Sequence, residues 1–243
     1  MQKLNESWFS SWFDTPYYHI LYKDRDYKEA EHFMKKLTGY LKLSKGDSIL
    51  DLACGRGRHS ISLNKLGFDV TGVDISPASI VYAKDFENDT LHFKVHDMCK
   101  PFPSKFDAVF NLFTSFGYFE KEEDNLRTLY SVKSNLNEGG KGVIDFMNVN
   151  YVLQNLIEKE TKTVNKIKFL IHRYEKEGYL YKDISFTDVN ESYTFTEKVK
   201  ILTLDDFHSY FKKVGIDLIC TFGNYNLESF DVNNSTRLIL IFN

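Results

Sequence analysis

The run Ser48-Ile49-Leu50-Asp51-Leu52 is short, with Ile49, Leu50 and Leu52 pointing to both faces of a buried strand, and it passes directly into Ala53-Cys54-Gly55-Arg56-Gly57, after which helical spacing resumes. A strand apolar on both faces belongs inside a parallel sheet, and the glycines after it admit backbone angles closed to other residues. In such sheets the ligand sits at the carboxyl ends of the strands. The rest of the chain supports that architecture. Strands are predicted over 68–73, 91–95, 106–112 and 142–147. Helices are predicted over 28–41, from the glycine loop to about Leu66 with Gly67 as its C-cap, from Ser76-Pro77 to about Phe86, and over 122–136. Strands that alternate with helices pair in parallel through right-handed crossovers.

After Asn150 the pattern changes. Three stretches between 164 and 201 alternate with period two, which predicts an antiparallel insertion. A last helix starts at Thr203 as N-cap, turns Phe207, Tyr210, Phe211 and Val214 inward and ends at Gly215; strands over 216–222 and 236–242 close the chain. With 243 residues, one α/β domain over 1–243 is the expectation. It divides into an N-terminal helical cap over 1–45 and an insertion over 151–202, placed either above the active site or at a dimer interface.

The formal charge of −3 argues against binding through a general positive field. Cys54, Cys99 and Cys220 form no C-x-x-C pair and have no metal-ligand spacing, so neither a disulfide framework nor a metal site is expected. Without a leader-like start or an apolar run of membrane-spanning length, the expected compartment is the cytoplasm, with no membrane partner.

The glycine loop has acidic partners. Asp74 ends the second predicted strand, seventeen residues beyond Gly57, where a carboxylate can accept hydrogen bonds from both hydroxyls of a ribose. Asp97 lies just past the third strand beside Met98; its carboxylate can accept from an adenine amino group while the methionine packs on the ring. With Asp51, three acids terminate successive strands along one edge.

At these residues the chain resembles the class I S-adenosylmethionine (SAM)-dependent methyltransferases. Residues Ile49 to Gly57 are similar to their first motif, and Val73-Asp74-Ile75-Ser76 to their second. The stretch Cys54-Gly55-Arg56-Gly57-Arg58-His59, with Trp12-Phe13 and Tyr17-Tyr18, resembles a bacterial small-molecule-type branch. The resemblance spans Trp12 to Phe242. It implies a Rossmann-like α/β fold: a seven-stranded sheet, mostly parallel with the last strand antiparallel, carrying the antiparallel insertion. SAM would lie over Ala53, Cys54, Gly55 and Gly57 near Asp51, with Asp74 and Ile75 at the ribose and Asp97 with Met98 around the adenine. Residues 111–116, Asn111 and Phe113 among them, would face the methionine part and the substrate. Tyr17 and Tyr18 would close over the cofactor, and Arg25 or Arg58 would hold its carboxylate.

A nicotinamide or flavin dinucleotide is the competing ligand. Its fingerprint needs a third glycine where this chain has Ser60, and its pyrophosphate gains nothing from Asp51, whereas SAM carries a sulfonium cation and no phosphate. Methyl transfer is an in-line displacement that leaves S-adenosylhomocysteine (SAH), and a dedicated base is optional. Tyr17, Tyr18, His19 and His59 are candidate bases, His208 a poorer one, and none is assigned. In the insertion Lys166, Lys168, Arg173 and Lys182 are offset by Glu175, Glu177, Asp183 and Asp188, which favours a small-molecule acceptor, methylated on N or O, over RNA. A SAM-binding regulatory protein without turnover and an RNA-modifying enzyme are the alternatives; monomer and homodimer both stay open.

Overall fold

The computed structural model describes residues 12–23 and 27–243. Among the described residues eleven strands form two sheets. The larger sheet runs β10-β11-β5-β4-β1-β2-β3, from β1 (Ser48–Leu52), β2 (Asp69–Asp74), β3 (Leu91–Val95), β4 (Phe106–Asn111), β5 (Leu136–Met147), β10 (Leu218–Phe222) and β11 (Arg237–Phe242). β1 pairs in parallel with β2 and β4, while β11 is antiparallel to both β5 and β10. Because successive strand residues point to opposite faces, Ile49, Ala108, Phe110, Val143 and Ile239 pack on one side. They meet α2 (Tyr27–Tyr40), α3 (Arg58–Lys65) and α4 (Pro77–Lys84). Leu50, Val109, Ile144 and Leu240 pack on the other side, against α5 (Glu122–Ser134) and α7 (Leu204–Val214). The N-terminus of α7 is closed by a capping box between Thr203 and Asp206, and Gly215 ends it at φ 72°.

The insertion differs in detail from its sequence reading. It contains four strands in the order β6-β7-β8-β9: β6 (Lys159–Val164), β7 (Ile167–Lys176), β8 (Tyr179–Asp188) and β9 (Glu191–Lys200). β6 escapes notice in the sequence because Lys159-Glu160-Thr161-Lys162-Thr163 is an edge strand with no apolar residue before Val164. A six-residue helix, α6 (Val149–Gln154), precedes it. β5 also starts earlier than its apolar part, at Leu136, with an irregularity in its pairing to β4 between Phe106 and Ala108.

This second sheet buries one face against the N-terminal segment. Phe169, Ile171, Ile184 and Phe186 pack on Trp12 and on Leu21 of α1 (Pro16–Leu21). Thr15 caps α1 by accepting from the Tyr18 amide, with Pro16 at the first helical position. Polar pins add direction to the apolar contact. The Trp12 indole N–H and the Tyr22 hydroxyl both donate to Glu197 Oε1, at 2.8 and 2.7 Å, and Lys182 pairs with the same carboxylate at 3.7 Å. Lys23 Nζ donates to Asn165 at 2.9 Å. Among the described residues no helix is long and apolar enough to cross a membrane.

Gly57 shows how the fold constrains the loop. Its φ is +82°, and a Cβ there would stand 2.6 Å from Phe93 Cζ, so the position requires glycine for packing as well as for backbone angle. Gly57→Ala is expected to destabilise the protein by about 2 to 4 kcal/mol, from overpacking and the left-handed backbone together. Phe93→Leu added to it should recover part of that loss in urea unfolding. A single-mutant cost below about 0.5 kcal/mol would contradict this packing account.

Candidate active site

The turn after β1 is left-handed at three positions: Ala53 at φ 58°, Gly55 at 55° and Gly57 at 82°. It is closed by the Cys54 amide donating to Val73 O at 2.9 Å and the Gly57 amide to Cys54 O at 3.0 Å. Asp51, only 1% exposed, lies beneath it and accepts from the Ser60 hydroxyl at 2.6 Å. Ser60 thus fills the place of a dinucleotide fingerprint's third glycine with a hydroxyl committed to Asp51. Burial pushes the Asp51 carboxyl up to about 7; the Ser60 hydrogen bond opposes that shift and the neighbouring Asp74 charge adds to it. Burial likewise raises the Cys54 thiol well above its ordinary range, which keeps it an unreactive packing residue.

Asp74 ends β2 and joins two segments. Its Oδ2 accepts from the Gly55 amide and its Oδ1 from the Ser76 amide, each at 2.8 Å. Burial raises its carboxyl, against those two backbone bonds. One donor per oxygen leaves lone pairs for a ligand. Asp97 Oδ1 accepts from the Cys99 amide at 3.0 Å, and Lys100 stands 3.8 Å from its Oδ2.

A cavity of about 380 Å³ opens over these strand ends. The edge of the large sheet contributes Asp51, Ala53, Cys54, Gly55, Arg58, Asp74, Ile75, Asp97, Met98 and Phe113 to its lining, and the cap contributes Tyr18. Three other residues read from the sequence lie elsewhere. The Tyr17 hydroxyl donates to Asp188 at 3.0 Å and its ring packs on Phe186 and Tyr193, on the side of α1 toward the second sheet. Gly57 faces Phe93 under the turn. Asn111 is buried below the floor, where Nδ2 donates to Leu52 O at 3.3 Å and Oδ1 has no hydrogen-bond partner. Arg25 is outside the described residues.

The cavity also gathers residues absent from the motif reading. Ser79 and Tyr82 line it from one face of α4, a period that the sequence does contain. Tyr22 and Lys23 carry no such signal, because their inward direction depends on how the cap docks; Phe13 enters beside them, and Tyr118 and Phe119 come from the loop between β4 and α5. Four rings make a continuous wall: Phe13 to Tyr18 at 4.8 Å, Phe13 to Tyr118 at 5.7 Å and Tyr18 to Tyr22 at 4.9 Å between centroids. No described residue of β6–β9 lines the cavity. The second sheet reaches it through the cap and through the loop before Tyr118, where the Lys200 amide at the end of β9 donates to Gly117 O at 2.8 Å.

Among the candidate bases, His19 and His59 line the cavity, while His208 on α7 does not. Arg58 Nη2 stands 3.3 Å from His59 Nε2. A guanidinium only donates, so Nε2 is the acceptor in this contact. The Arg58 guanidinium also covers the Phe113 ring at 5.0 Å, and Arg56 covers Tyr82 at 4.5 Å.

Comparison with known proteins matches the chain to a family. The methyltransferase domain family matches residues 43–215. A glycine/sarcosine N-methyltransferase of Aphanothece halophytica is 35% identical over 137 residues, 53% of this chain and 49% of that protein. The glycine N-methyltransferase of Rattus norvegicus is 31% identical over 134 residues, 48% and 46% of the two chains. The chain thus spans about half the length of these curated relatives. In structure, an S-adenosylmethionine-dependent methyltransferase from Clostridium acetobutylicum superposes with a TM-score of 0.78 at 20% identity, over 93% of this chain and 95% of that one. The sugar N-methyltransferase KedS8 from Streptoalloteichus gives 0.73 at 18%, over 92% of each. These structures share the fold, and the domain match covers most of the sequence. The chain belongs to the class I S-adenosylmethionine-dependent methyltransferases.

Proposed function

We propose that this protein transfers the methyl group of SAM to a nitrogen atom of a small-molecule amine. The observation that carries the reading is the division of one cavity into two walls: acids on the strand ends, and the four-ring wall that the cap completes. The residues present fit the cofactor. A side chain at Gly55 would project into open space over the turn, so its backbone is open to a ligand, and Asp74 keeps lone pairs for two hydroxyls. Asp97 would accept from the adenine amino group beside Met98, Ile75 and Tyr82, and Arg58 would hold the carboxylate.

When bound, SAM supplies a methyl group on a sulfonium, an excellent leaving group. The protein's own work is alignment and exclusion of water. Aromatic faces attract an alkylammonium, so the Phe13, Tyr18, Tyr22 and Tyr118 wall suits an amine that arrives protonated, gives its proton to solvent water and, through the freed lone pair, forms the N–C bond as the S–CH3 bond breaks to leave SAH. The curated relatives include N-methyltransferases of glycine and sarcosine, which agrees with a nitrogen acceptor. In this reading the second sheet serves the site by carrying the cap.

Release of SAH from SAM, measured over a panel of amino acids, amino sugars and their hydroxyl analogues, tests the proposal. Turnover confined to amines is expected; turnover on hydroxyl compounds alone would refute the nitrogen assignment. Asp74→Ala should weaken SAM binding by about 1.5 to 3 kcal/mol through lost charge-assisted bonds. Unchanged affinity in the folded variant would disprove the ribose role.

Asp51 adds a pH dependence. Its folded pKa of about 7 lies above the ordinary 3.8, so the stability it confers is complete below about pH 4 and is lost as pH rises through about 7. A bound cation near Asp51 favours the ionised form and offsets that loss. Stabilisation by SAM against urea should therefore be greater at pH 8 than at pH 5.5, and Asp51→Asn should flatten the difference. A pH-independent gain in the unmutated protein would count against a sulfonium near Asp51.

A further inference from the structure

Phe113, which lines the cavity, and Thr114 both adopt left-handed backbone angles, φ 59° and 58°. Two successive residues with side chains in that region are strained and persist only where the surroundings hold them. Here the surroundings are one buried cluster. The Phe113 amide donates to Asp145 Oδ2 at 2.9 Å, and the Thr114 amide to Asp145 O at 2.9 Å. Arg237 Nε donates to Asp145 Oδ1 at 2.7 Å, and its Nη2 donates to the Thr114 hydroxyl at 2.9 Å. The Tyr225 hydroxyl donates to Asp145 Oδ2 at 3.1 Å, and its ring stacks on Phe33 of α2 at 4.4 Å. Asp145 is 1% exposed, and neither it, Arg237 nor Tyr225 lines the cavity.

The placement follows from the sheet. β5 and β11 are antiparallel neighbours, with Arg237 opposite Met147 and Asp145 opposite Ile239, so the guanidinium reaches diagonally to the carboxylate under the end of β4. A buried ion pair is a poor source of stability compared with apolar packing of the same volume. This one is attached to the only two consecutive left-handed residues on the described cavity lining side of β4, and it leaves the Phe113 ring under the Arg58 guanidinium.

We propose that Asp145, Arg237 and Tyr225 are positioning residues of the cofactor pocket: they lock the Phe113–Thr114 turn so that Phe113 and Arg58 meet the ligand together. The inference rests on the methyltransferase reading of that pocket. It predicts a response that general support of the fold does not. In Arg237→Met the turn is released, and glycine at 114 should repair it, because glycine holds the left-handed angle without strain.

The test measures SAH affinity by calorimetry and amide exchange at residues 113 and 114. Arg237→Met is expected to weaken SAH about tenfold or more and to speed exchange at both amides; adding Thr114→Gly should bring affinity back to within about threefold of the unmutated protein. Tyr225→Phe, which removes one hydrogen bond and no charge, should give a loss of about threefold with faster exchange at 113, and it keeps the test decisive if Arg237→Met does not fold. Lower thermal stability with unchanged SAH affinity in the folded variants, or no recovery with Thr114→Gly, would overturn the proposal. If the unmutated protein does not bind SAH, the methyltransferase reading fails on its own. Exchange then still decides the turn: amides as protected in the variants as in the parent would overturn the positioning role.

Discussion

The site depends on one carboxylate that several segments share. Asp74 accepts the Gly55 amide from the loop after β1 and the Ser76 amide from the start of α4. Ser76 in turn donates its hydroxyl to Asp14, next to the cap helix, while it caps α4 through the Ser79 amide. Loop, strand end, helix start and cap are therefore held by a single line of hydrogen bonds. A buried carboxyl with two backbone donors is expensive to place and well fixed once placed, and it keeps lone pairs to spare.

The two sheets divide the labour. The larger one supplies the rigid edge, where three acids end successive strands and the turn at 53–57 stays open at Gly55. The smaller one lines no part of the cavity among the described residues, but it buries Trp12 and Leu21 and gathers Trp12, Tyr22 and Lys182 on Glu197. Its apolar face fixes α1, and α1 with its C-cap presents Tyr18 and Tyr22 to the cavity. Mixed charge along the insertion reflects this docking: Lys182 and Asp188 are committed to the cap rather than to solvent.

Much of this was legible in the sequence, for physical reasons. The apolar run at 48–52 and the glycines after it can hardly serve another fold, and acids at strand ends follow from one-dimensional spacing. What the sequence hides is direction and long-range pairing. Tyr17 and Tyr18 are neighbours about 100° apart on a helix, and only the docked sheet turns the first toward Asp188 and the second into the cavity. Asp145 and Arg237 stand 92 residues apart with no motif around either, and only the β5–β11 register brings them together. Gly57 has a sequence signal that fits a ligand contact, yet its constraint comes from Phe93. β6 leaves no sequence signal because a polar edge strand gains its order from its partner, not from its own composition.

The most direct measurement is a crystal structure of the protein with SAH. The account predicts ribose hydroxyls within hydrogen-bond distance of both Asp74 oxygens, the adenine between Asp97, Met98 and Tyr82, and the sulfur facing the ring wall of Phe13, Tyr18 and Tyr118. A ligand seated away from Asp74, or an Asp74 carboxylate that keeps only its Gly55 and Ser76 amide partners, would contradict it.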